Sequence, residues 1–137
     1  MLDELRQRIS RYLDGWQTAV LSACSWGRPW LIPVQYRHRE LEIECLLPRW
    51  AELFSYLDRD PEVLLIVRST DAAETSRWLE YRGRAAVRNA PDWTVWNLSP
   101  EEQEQPQDRY VVLRITPRRI DLIDESRGWG FRETLDL

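Results

Sequence analysis

The chain has 137 residues, of which 43% are hydrophobic and 31% are charged, a balance that excludes a disordered or fibrous protein. This length predicts a single domain, residues 1–137, built around one hydrophobic core. The net charge of −4 argues against nucleic-acid binding, and the complete lack of lysine excludes an internal Schiff base with pyridoxal phosphate or a carbonyl substrate.

The N-terminal residues lack both the basic start and the apolar stretch of a secretory signal, and no segment is apolar enough to span a membrane. We therefore expect a cytoplasmic protein without membrane contact. The two cysteines, Cys24 and Cys45, lie in apolar strand-like segments. They are expected to be small buried hydrophobic residues and not a disulfide.

Apolar residues at helical spacing predict an amphipathic helix that starts at Leu2 and stops near Gly15. Three strands follow at 18–24, 29–36 and 41–47, and a turn at 25–28 joins the first two as a hairpin. Alternation of apolar and acidic residues along the third strand predicts that one of its faces is wet. These strands form an antiparallel meander.

The second half begins with a short helix at 50–57 and a buried strand at 63–67. A long strand at 77–88 is interrupted by Gly83, which predicts a bulge or bend. The proline-containing stretch 89–107 is predicted to be an excursion without a core of its own and the most mobile segment. The chain then forms a last hairpin of strands 110–116 and 120–124 with a turn at Pro117, followed by a tail, 127–137, that contains glycine and aromatic residues.

The order of these elements resembles that of the pyridoxamine 5′-phosphate oxidase-like split barrels. Four groups of residues carry the resemblance, from the opening hairpin to the closing strands: 18–22 with 27–29 and 32–36, then 60–63, 80–85 and 114–120. The resemblance implies a mainly β fold, an antiparallel split β-barrel of six to seven strands, with an N-terminal helix and a short helix after the third strand. It also implies a homodimer that binds flavin mononucleotide (FMN) at the subunit interface.

In proteins of this family, the strand that corresponds to residues 32–36 borders the flavin ring. Pro33 lacks a backbone N–H, which suits either a position where a ligand lies alongside the strand or a simple sheet edge. By resemblance, Pro33, Val34, Gln35 and Tyr36 are the candidate residues for the ring.

The phosphate end of the cofactor departs from the family pattern. Glu52 and Leu53 stand where the family has a basic pair, and they offer a repelling charge and an apolar group. Arg49, beside Trp50, is the candidate substitute at the start of the short helix, where backbone amides favour an anion. By resemblance, Arg77 matches a family position that faces the phosphate or the ring. Trp78, also a candidate for the cofactor, falls where the family often has a polar residue. For either arginine the competing interpretation is a solvated surface residue.

Three further residues are singled out by position. Arg28 is the candidate substrate-binding residue. Trp129 is interpreted either as an aromatic over the partner subunit's flavin or as an anchor for dimer packing. His38, the only histidine, is expected to face solvent in a charged turn.

These patterns lead to two main hypotheses. The first is an FMN-dependent oxidoreductase that acts on an unknown small molecule, because the chain offers no triad, glycine-rich phosphate loop or metal-ligand spacing to supply chemistry without a cofactor. The second is a split barrel without cofactor that serves as a dimeric small-ligand or interaction module, which Glu52 and Leu53 favour. Haem binding ranks below both because His38 is the only nitrogen ligand available.

Overall fold

The computed structural model of the protein describes residues 2–15, 18–74 and 76–137. The first element, α1 (Leu2–Asp14), carries acidic residues in its first turn, where the helix dipole favours them. It buries Leu5, Ile9 and Leu13 against the core, as its spacing predicts. Trp16, which continues this apolar pattern, lies outside the described residues.

In the described part of the chain, seven strands and one further α-helix follow. The helix is α2 (Leu53–Leu57), between the third and fourth strands. The strands are β1 (Thr18–Ser25), β2 (Arg28–Arg39), β3 (Glu42–Pro48), β4 (Glu62–Arg68), β5 (Arg77–Val87), β6 (Tyr110–Asp124) and β7 (Arg132–Asp136).

All strand pairs are antiparallel, in the order β3-β2-β1-β4-β5-β6-β7. A further pairing between β3 and β6 closes six of them into a barrel, and β7 lies outside it on β6. The predicted fold class, a mainly antiparallel split barrel with a helix at the N-terminus and another after the third strand, is confirmed.

The barrel interior is filled by the alternate residues of each strand. Tyr81 is fully buried and its hydroxyl donates to the carbonyls of Leu41 and Ile115, so one side chain ties three strand regions together. Burial raises the pKa of Tyr81, which keeps the hydroxyl protonated as the donor. The short helix α2 adds the fully buried Leu53 to the same core.

The predicted closing hairpin is wrong, because β6 is one continuous strand of 15 residues. Pro117 lies at a register shift instead of a turn: Gly83 pairs with Pro117 and Arg82 pairs with Arg119, so Arg118 has no counterpart on β5. A proline is tolerated at such a bulge because no ladder hydrogen bond is required of it there. The predicted tail also contains a strand, β7, which was missed.

One smaller expectation needs correction. Cys45 is buried, and burial raises the pKa of its thiol, but Cys24 is exposed and faces outward from β1. Both cysteines are free thiols. No helix among the described residues is both long and apolar enough to cross a membrane.

The bend at Gly83 provides a stability test. A Cβ at this position would lie 2.6 Å from the Thr116 carbonyl oxygen and 2.7 Å from the Ile115 Cγ2, and the backbone oxygen cannot move aside freely. We expect Gly83→Ala to lower the free energy of unfolding by about 1–3 kcal/mol, as overpacked core sites do. Denaturant titration measures it. Ala86→Ser, at an exposed position of the same strand, is the control, and equal stability of both variants would contradict this explanation of the bend.

Candidate functional site

The candidate site begins where β2 and β3 separate. β2 pairs with β1 along residues 28–35, but its other side pairs with β3 only from Gln35 to Arg39. Continuing the register of Gln35 with Leu46 would set Pro33 opposite Pro48, yet in the described chain that pairing is absent because β3 turns away to β6. The edge of β2 at residues 28–34 is therefore open, which confirms an edge position for Pro33.

An apolar surface lies beside this open edge. Val20 pairs with Pro33 on one side and with Ile66 on the other, and Ser22 pairs in the same way with Leu31 and Leu64. Residues at paired positions share one face of a sheet, so their side chains form a continuous outward patch. We call this patch the outer face: Val20, Leu31, Pro33, Leu64 and Ile66. Leu31 is 62% exposed and Val20 is 38% exposed, which is unusual for apolar residues of a central sheet region.

The outer face has a charged border. On β5, Glu80 pairs with Ile66 and Arg82 pairs with Leu64, so polar groups stand next to the apolar patch. Arg82 also pairs with the fully buried Asp121 of β6, which holds the border in place. An apolar patch with a polar rim is the usual surface of a protein or ligand contact.

The excursion 89–107 covers the other half of β2. The side-chain amide of Gln35 donates to the Asn97 carbonyl at 3.1 Å and its oxygen accepts the Asn97 N–H at 3.3 Å, while Arg37 donates to the Val95 carbonyl at 2.9 Å. The side chain of Gln35 thus forms hydrogen bonds with both the backbone carbonyl and the backbone N–H of Asn97. Gln35 is therefore engaged with the chain itself and not with the open edge.

A small apolar cluster holds this excursion on the barrel: Leu46, Trp96, Leu98 and Val112, with Trp93 and Tyr110 packed against it. Trp96 is only 6% exposed. The expectation that residues 89–107 lack a core of their own is wrong, because Trp96 and Leu98 pack on the outward residues Leu46 and Val112. Tryptophan in a proline-rich stretch is the sequence signal for this cluster, since buried tryptophans contribute large apolar areas.

The side chains of the other residues proposed for the flavin ring point in different directions. Val34 and Tyr36 point into the barrel, where Tyr36 donates its hydroxyl to the Leu13 carbonyl at 2.6 Å. Of the four residues proposed for the ring, only Pro33 combines an outward side chain with the open edge. From Val34 and Tyr36, backbone atoms alone are available to a ligand outside the barrel.

Arg49 and Trp50 lie in the turn after β3, not in a helix. The helix α2 begins at Leu53, and Glu52 caps it without a side-chain hydrogen bond, so the expected helix N-terminus beside Arg49 is absent from this described segment. Arg49 Nε donates to the Gln107 carbonyl, and its guanidinium lines a cavity of about 740 Å³ between α2, the excursion and the first residues of β6. Trp50 is 76% exposed.

Arg77 and Trp78 lie at the other end of the barrel. β5 runs from Arg77 to Val87, roughly 30 Å at about 3.3 Å per residue, and Arg49 is beside the end near Val87. Arg77 stacks on the ring of Tyr12 at 5.7 Å and pairs with Glu74. Within one chain, Arg49 and Arg77 are therefore too far apart to hold the same phosphate.

Of the remaining predicted residues, Trp129 lies at a turn, whereas Arg28 and His38 lie in β2, at its start and near its end. Trp129 is 96% exposed at the tip between β6 and β7, and Arg28 is exposed at the start of β2. His38 does not face solvent freely as expected: Nε2 contacts Asp14 Oδ1 at 2.5 Å and Nδ1 contacts the Glu40 carbonyl at 2.9 Å. Because both ring nitrogens have partners, His38 is poorly placed to ligate a haem iron.

The excursion contains Glu102, whose ionised carboxylate stabilises this segment. A hydrogen bond from the Tyr110 hydroxyl is the main reason that the pKa of Glu102 falls to about 2, and the Ser99 N–H adds to it. The same bond raises the pKa of Tyr110. A carboxylate with a lowered pKa in the folded state stabilises its surroundings above its unfolded pKa of about 4.3 and loses this effect as the pH falls toward 2.

We therefore expect the backbone amides around Ser99 and Gln103 to lose protection between about pH 4.3 and pH 2. Hydrogen exchange measured by nuclear magnetic resonance, with intrinsic rates corrected for pH, tests this. In Glu102→Gln, protection should be weaker at neutral pH and should change little over the same range. Identical pH profiles for the two proteins would show that Glu102 does not hold the segment.

The sequence matches no protein-family profile and no curated protein. Solved structures do match. General Stress Protein 26 from Bacillus anthracis is 22% identical, with 98% of this chain and 99% of that chain covered and a TM-score of 0.72. A protein related to general stress protein 26, of the pyridoxinephosphate oxidase family, from Clostridium acetobutylicum is 12% identical, with 98% and 96% covered and a TM-score of 0.76.

A third match carries a cofactor in its name. It is a FAD-binding protein from Mesorhizobium loti, which is 14% identical, with 83% of this chain and 90% of that chain covered and a TM-score of 0.64. At these identities the likeness concerns the fold. The resemblance inferred from residue groups such as 18–22 and 80–85 is confirmed at that level.

Proposed function

We propose that this chain, which has the split-barrel fold of the pyridoxamine 5′-phosphate oxidase-like proteins, binds FMN and acts as a flavin-dependent oxidoreductase on an unidentified small molecule. The observation that carries the proposal is the open edge of β2 at residues 28–34 beside the exposed outer face. A flavin has a flat apolar ring system and a hydrogen-bonding pyrimidine edge. A free strand edge next to an apolar surface matches both needs.

The residues present fit the ring part of this cofactor. Pro33 and Leu31 offer exposed apolar surface, and the backbone groups of β2 on its unpaired side are available as donors and acceptors for the pyrimidine edge. The FAD-binding protein from Mesorhizobium loti, with the same fold, supports a flavin as the cofactor class. FMN in particular is the finer step of the proposal.

For the phosphate we propose Arg49, with Trp50 beside it. Both lie in the turn where β3 leaves β2, so they stand at the same end of the barrel as the open edge. Arg49 uses Nε for the Gln107 carbonyl, which leaves its two terminal nitrogens for an anion. Arg77 is left out of this proposal because, within one chain, it stacks on Tyr12 at the other end of the barrel.

A bound flavin would supply the redox chemistry, since it can accept or donate a hydride at its ring. The chain's own residues would position the ring on β2 and exclude water from it. The sequence has no lysine for a Schiff base, and its one histidine is held by Asp14 and Glu40, so neither residue type is proposed to take part in the chemistry. Arg28, exposed at the start of the open edge, is proposed to receive the substrate.

We further propose that two copies of the chain associate through the outer face. Leu31, Val20 and Pro33 leave an apolar patch on the sheet that a second copy would cover, and the open edge would then lie at the subunit boundary. In this arrangement Trp129, 96% exposed, would contact the partner subunit. If Trp129 lies over the partner's flavin ring, replacing it should change the flavin spectrum. If Trp129 only packs on the partner protein, the spectrum should stay the same.

The flavin proposal is tested by titrating the purified protein with FMN and with riboflavin while recording visible absorbance and fluorescence. If Arg49 holds the phosphate, Arg49→Ala should weaken FMN binding by about 1–3 kcal/mol and leave riboflavin binding unchanged. Arg84→Ala removes an exposed arginine that has no carboxylate partner in the described chain, and it is the matched control. Equal affinity of wild type for FMN and riboflavin would contradict the phosphate assignment. Absence of any flavin binding would contradict the proposed function.

The dimer is tested separately by sedimentation equilibrium. Leu31→Asp places a charge on the outer face at its most exposed apolar residue, and we expect it to weaken association by about 2 kcal/mol or more, as at interface hot spots. Leu2→Asp, at a similarly exposed leucine of α1, should leave the dimer intact. A wild-type protein that stays monomeric at high concentration would rule out this association.

A cofactor-free module is the second candidate, and a specific observation favours it. Gln35, an outward polar side chain of β2, is satisfied by the Asn97 backbone, and Glu52 places a negative charge next to the turn that should hold the phosphate. This candidate predicts a dimer whose melting temperature does not respond to FMN. A ligand that binds the native state must raise that temperature.

A further inference from the structure

A separate concavity lies between the β1–β2 turn and α2, at the end of the barrel. It has a volume of about 430 Å³ and is lined by six residues: Ser25, Trp26, Arg28, Ser55, Tyr56 and Arg59. The lining contains two guanidinium groups, three hydroxyls and one indole. Among the residues that the structure describes, no carboxylate lines it, although acidic residues outnumber basic ones in the chain, 23 to 19.

The backbone of Trp26 adopts an unfavourable conformation. Trp26 has a φ of 56° and Gly27 has a φ of 73°, so both central residues of this two-residue turn are left-handed, as in a type I′ turn. Glycine, asparagine and aspartate favour this position, and a bulky aromatic residue there is strained. The side chain is nevertheless 82% exposed, so core packing does not explain its presence. A strained and exposed tryptophan is evidence for a role in contact.

The two arginines of the concavity are not neutralised by the protein. Arg59 stacks over the ring of Trp26 at 5.3 Å, and neither Arg28 nor Arg59 pairs with a carboxylate anywhere in the described chain. The acidic neighbours of Arg59 in sequence are directed elsewhere: Asp60 accepts the Glu62 N–H, and Asp58 lines the cavity near Arg49. The concavity therefore carries a net positive charge of about two, which a phosphate monoester would balance.

The hydroxyl groups complete the polar part of the lining. Ser55 donates to the Glu52 carbonyl and can still accept, whereas the Ser25 and Tyr56 hydroxyls have no partner among the described residues. Tyr56 also packs on the core, which fixes its position. Two guanidiniums, free hydroxyls and an exposed indole face together match a flat aromatic ring for stacking and an attached anion for charge-assisted hydrogen bonds.

We infer that this concavity, the Trp26 pocket, binds a small planar aromatic molecule that carries a phosphate, such as a nucleoside monophosphate. The pocket shares Arg28 with the proposed substrate side of the flavin site, but its other lining residues lie outside the open edge of β2, and binding there does not depend on the proposed flavin. A ligand of this class would explain why Trp26, Tyr56 and Arg59 surround Arg28. The indole would stack on the ring, and Arg28 and Arg59 would bind the phosphate oxygens.

The test uses adenosine 5′-monophosphate as the probe in isothermal titration of the full chain. Binding should weaken by about ten-fold or more in Arg28→Gln and in Arg59→Gln, and adenosine, which lacks the phosphate, should bind more weakly by a similar factor. Arg84→Gln, an exposed arginine of β5, should bind like the wild type. Saturating FMN should leave the affinity for adenosine 5′-monophosphate unchanged.

Trp26→Asn separates a ligand-binding role from a structural one. Asparagine suits the left-handed turn, so this variant should raise the melting temperature by about 2–6 °C while binding of the probe falls. The inference is overturned if the wild type does not bind adenosine 5′-monophosphate, or if Trp26→Asn binds it as tightly as the wild type. It is also overturned if FMN competes for the pocket, or if Trp26→Asn changes the sedimentation of the protein, since Trp26 would then belong to the flavin site or to a subunit contact.

Discussion

The pairing of β3 with β6 is the constraint on which the rest of the structure depends. β3 has seven residues, and it pairs with β2 through Glu42–Leu46 and with β6 through Ile43–Pro48. Closing the barrel on β6 takes the end of β3 away from β2. The open edge at residues 28–34 is thus a geometric result of closure, and the split between the two strands exists because one short strand cannot follow both neighbours to their ends.

The sequence predicts the barrel well where its pattern has a single physical cause. The hairpin of β1 and β2 follows from two alternating strands around Gly27, and β3 follows from the alternation of Ile43 and Cys45 with Glu42 and Glu44. The face of β3 that carries these glutamates was expected to be wet, and there they contact Arg114 and Arg88. Local alternation records which face is buried, so these elements can be predicted without knowledge of their partners.

Prediction fails where a long-range partner decides the outcome. Pro117 and Arg118 have the composition of a turn, but pairing with Gly83 turns them into a bulge within β6. β7 was missed because its residues are mostly polar, and its place is decided by Asp121, a fully buried carboxylate that accepts from Arg132 and Thr134. Trp96 was likewise assigned to a mobile stretch, since nothing local to it indicates that Leu46 lies 50 positions earlier in the same cluster.

In the candidate site, too, some features follow from the local sequence and others depend on long-range pairing. An edge position for Pro33 followed from its missing N–H, but the separation of Arg49 from Arg77 along β5 depends on which strands pair. Trp26, Arg59 and Tyr56 come together only because the β1–β2 turn meets α2 at one end of the barrel. Residues that resemble a family site can be transferred one by one from sequence, whereas residues that meet through the tertiary fold can be found only in the structure.

The β3–β6 pairing also shapes how the chain reaches its native state. Ile43 and Ile115 are paired although 72 positions separate them (43 to 115), whereas Ser25 and Arg28 pair across two residues. Ordering so long an intervening segment costs chain entropy before any contact compensates for it, so folds with such distant pairing form slowly. The meander β1–β2–β3 can assemble early, but its last strand must wait for residues beyond position 110. A ribosome that has released only the first hundred residues therefore carries an incomplete sheet with two free edges, a state in which strand pairing between neighbouring chains competes with correct folding.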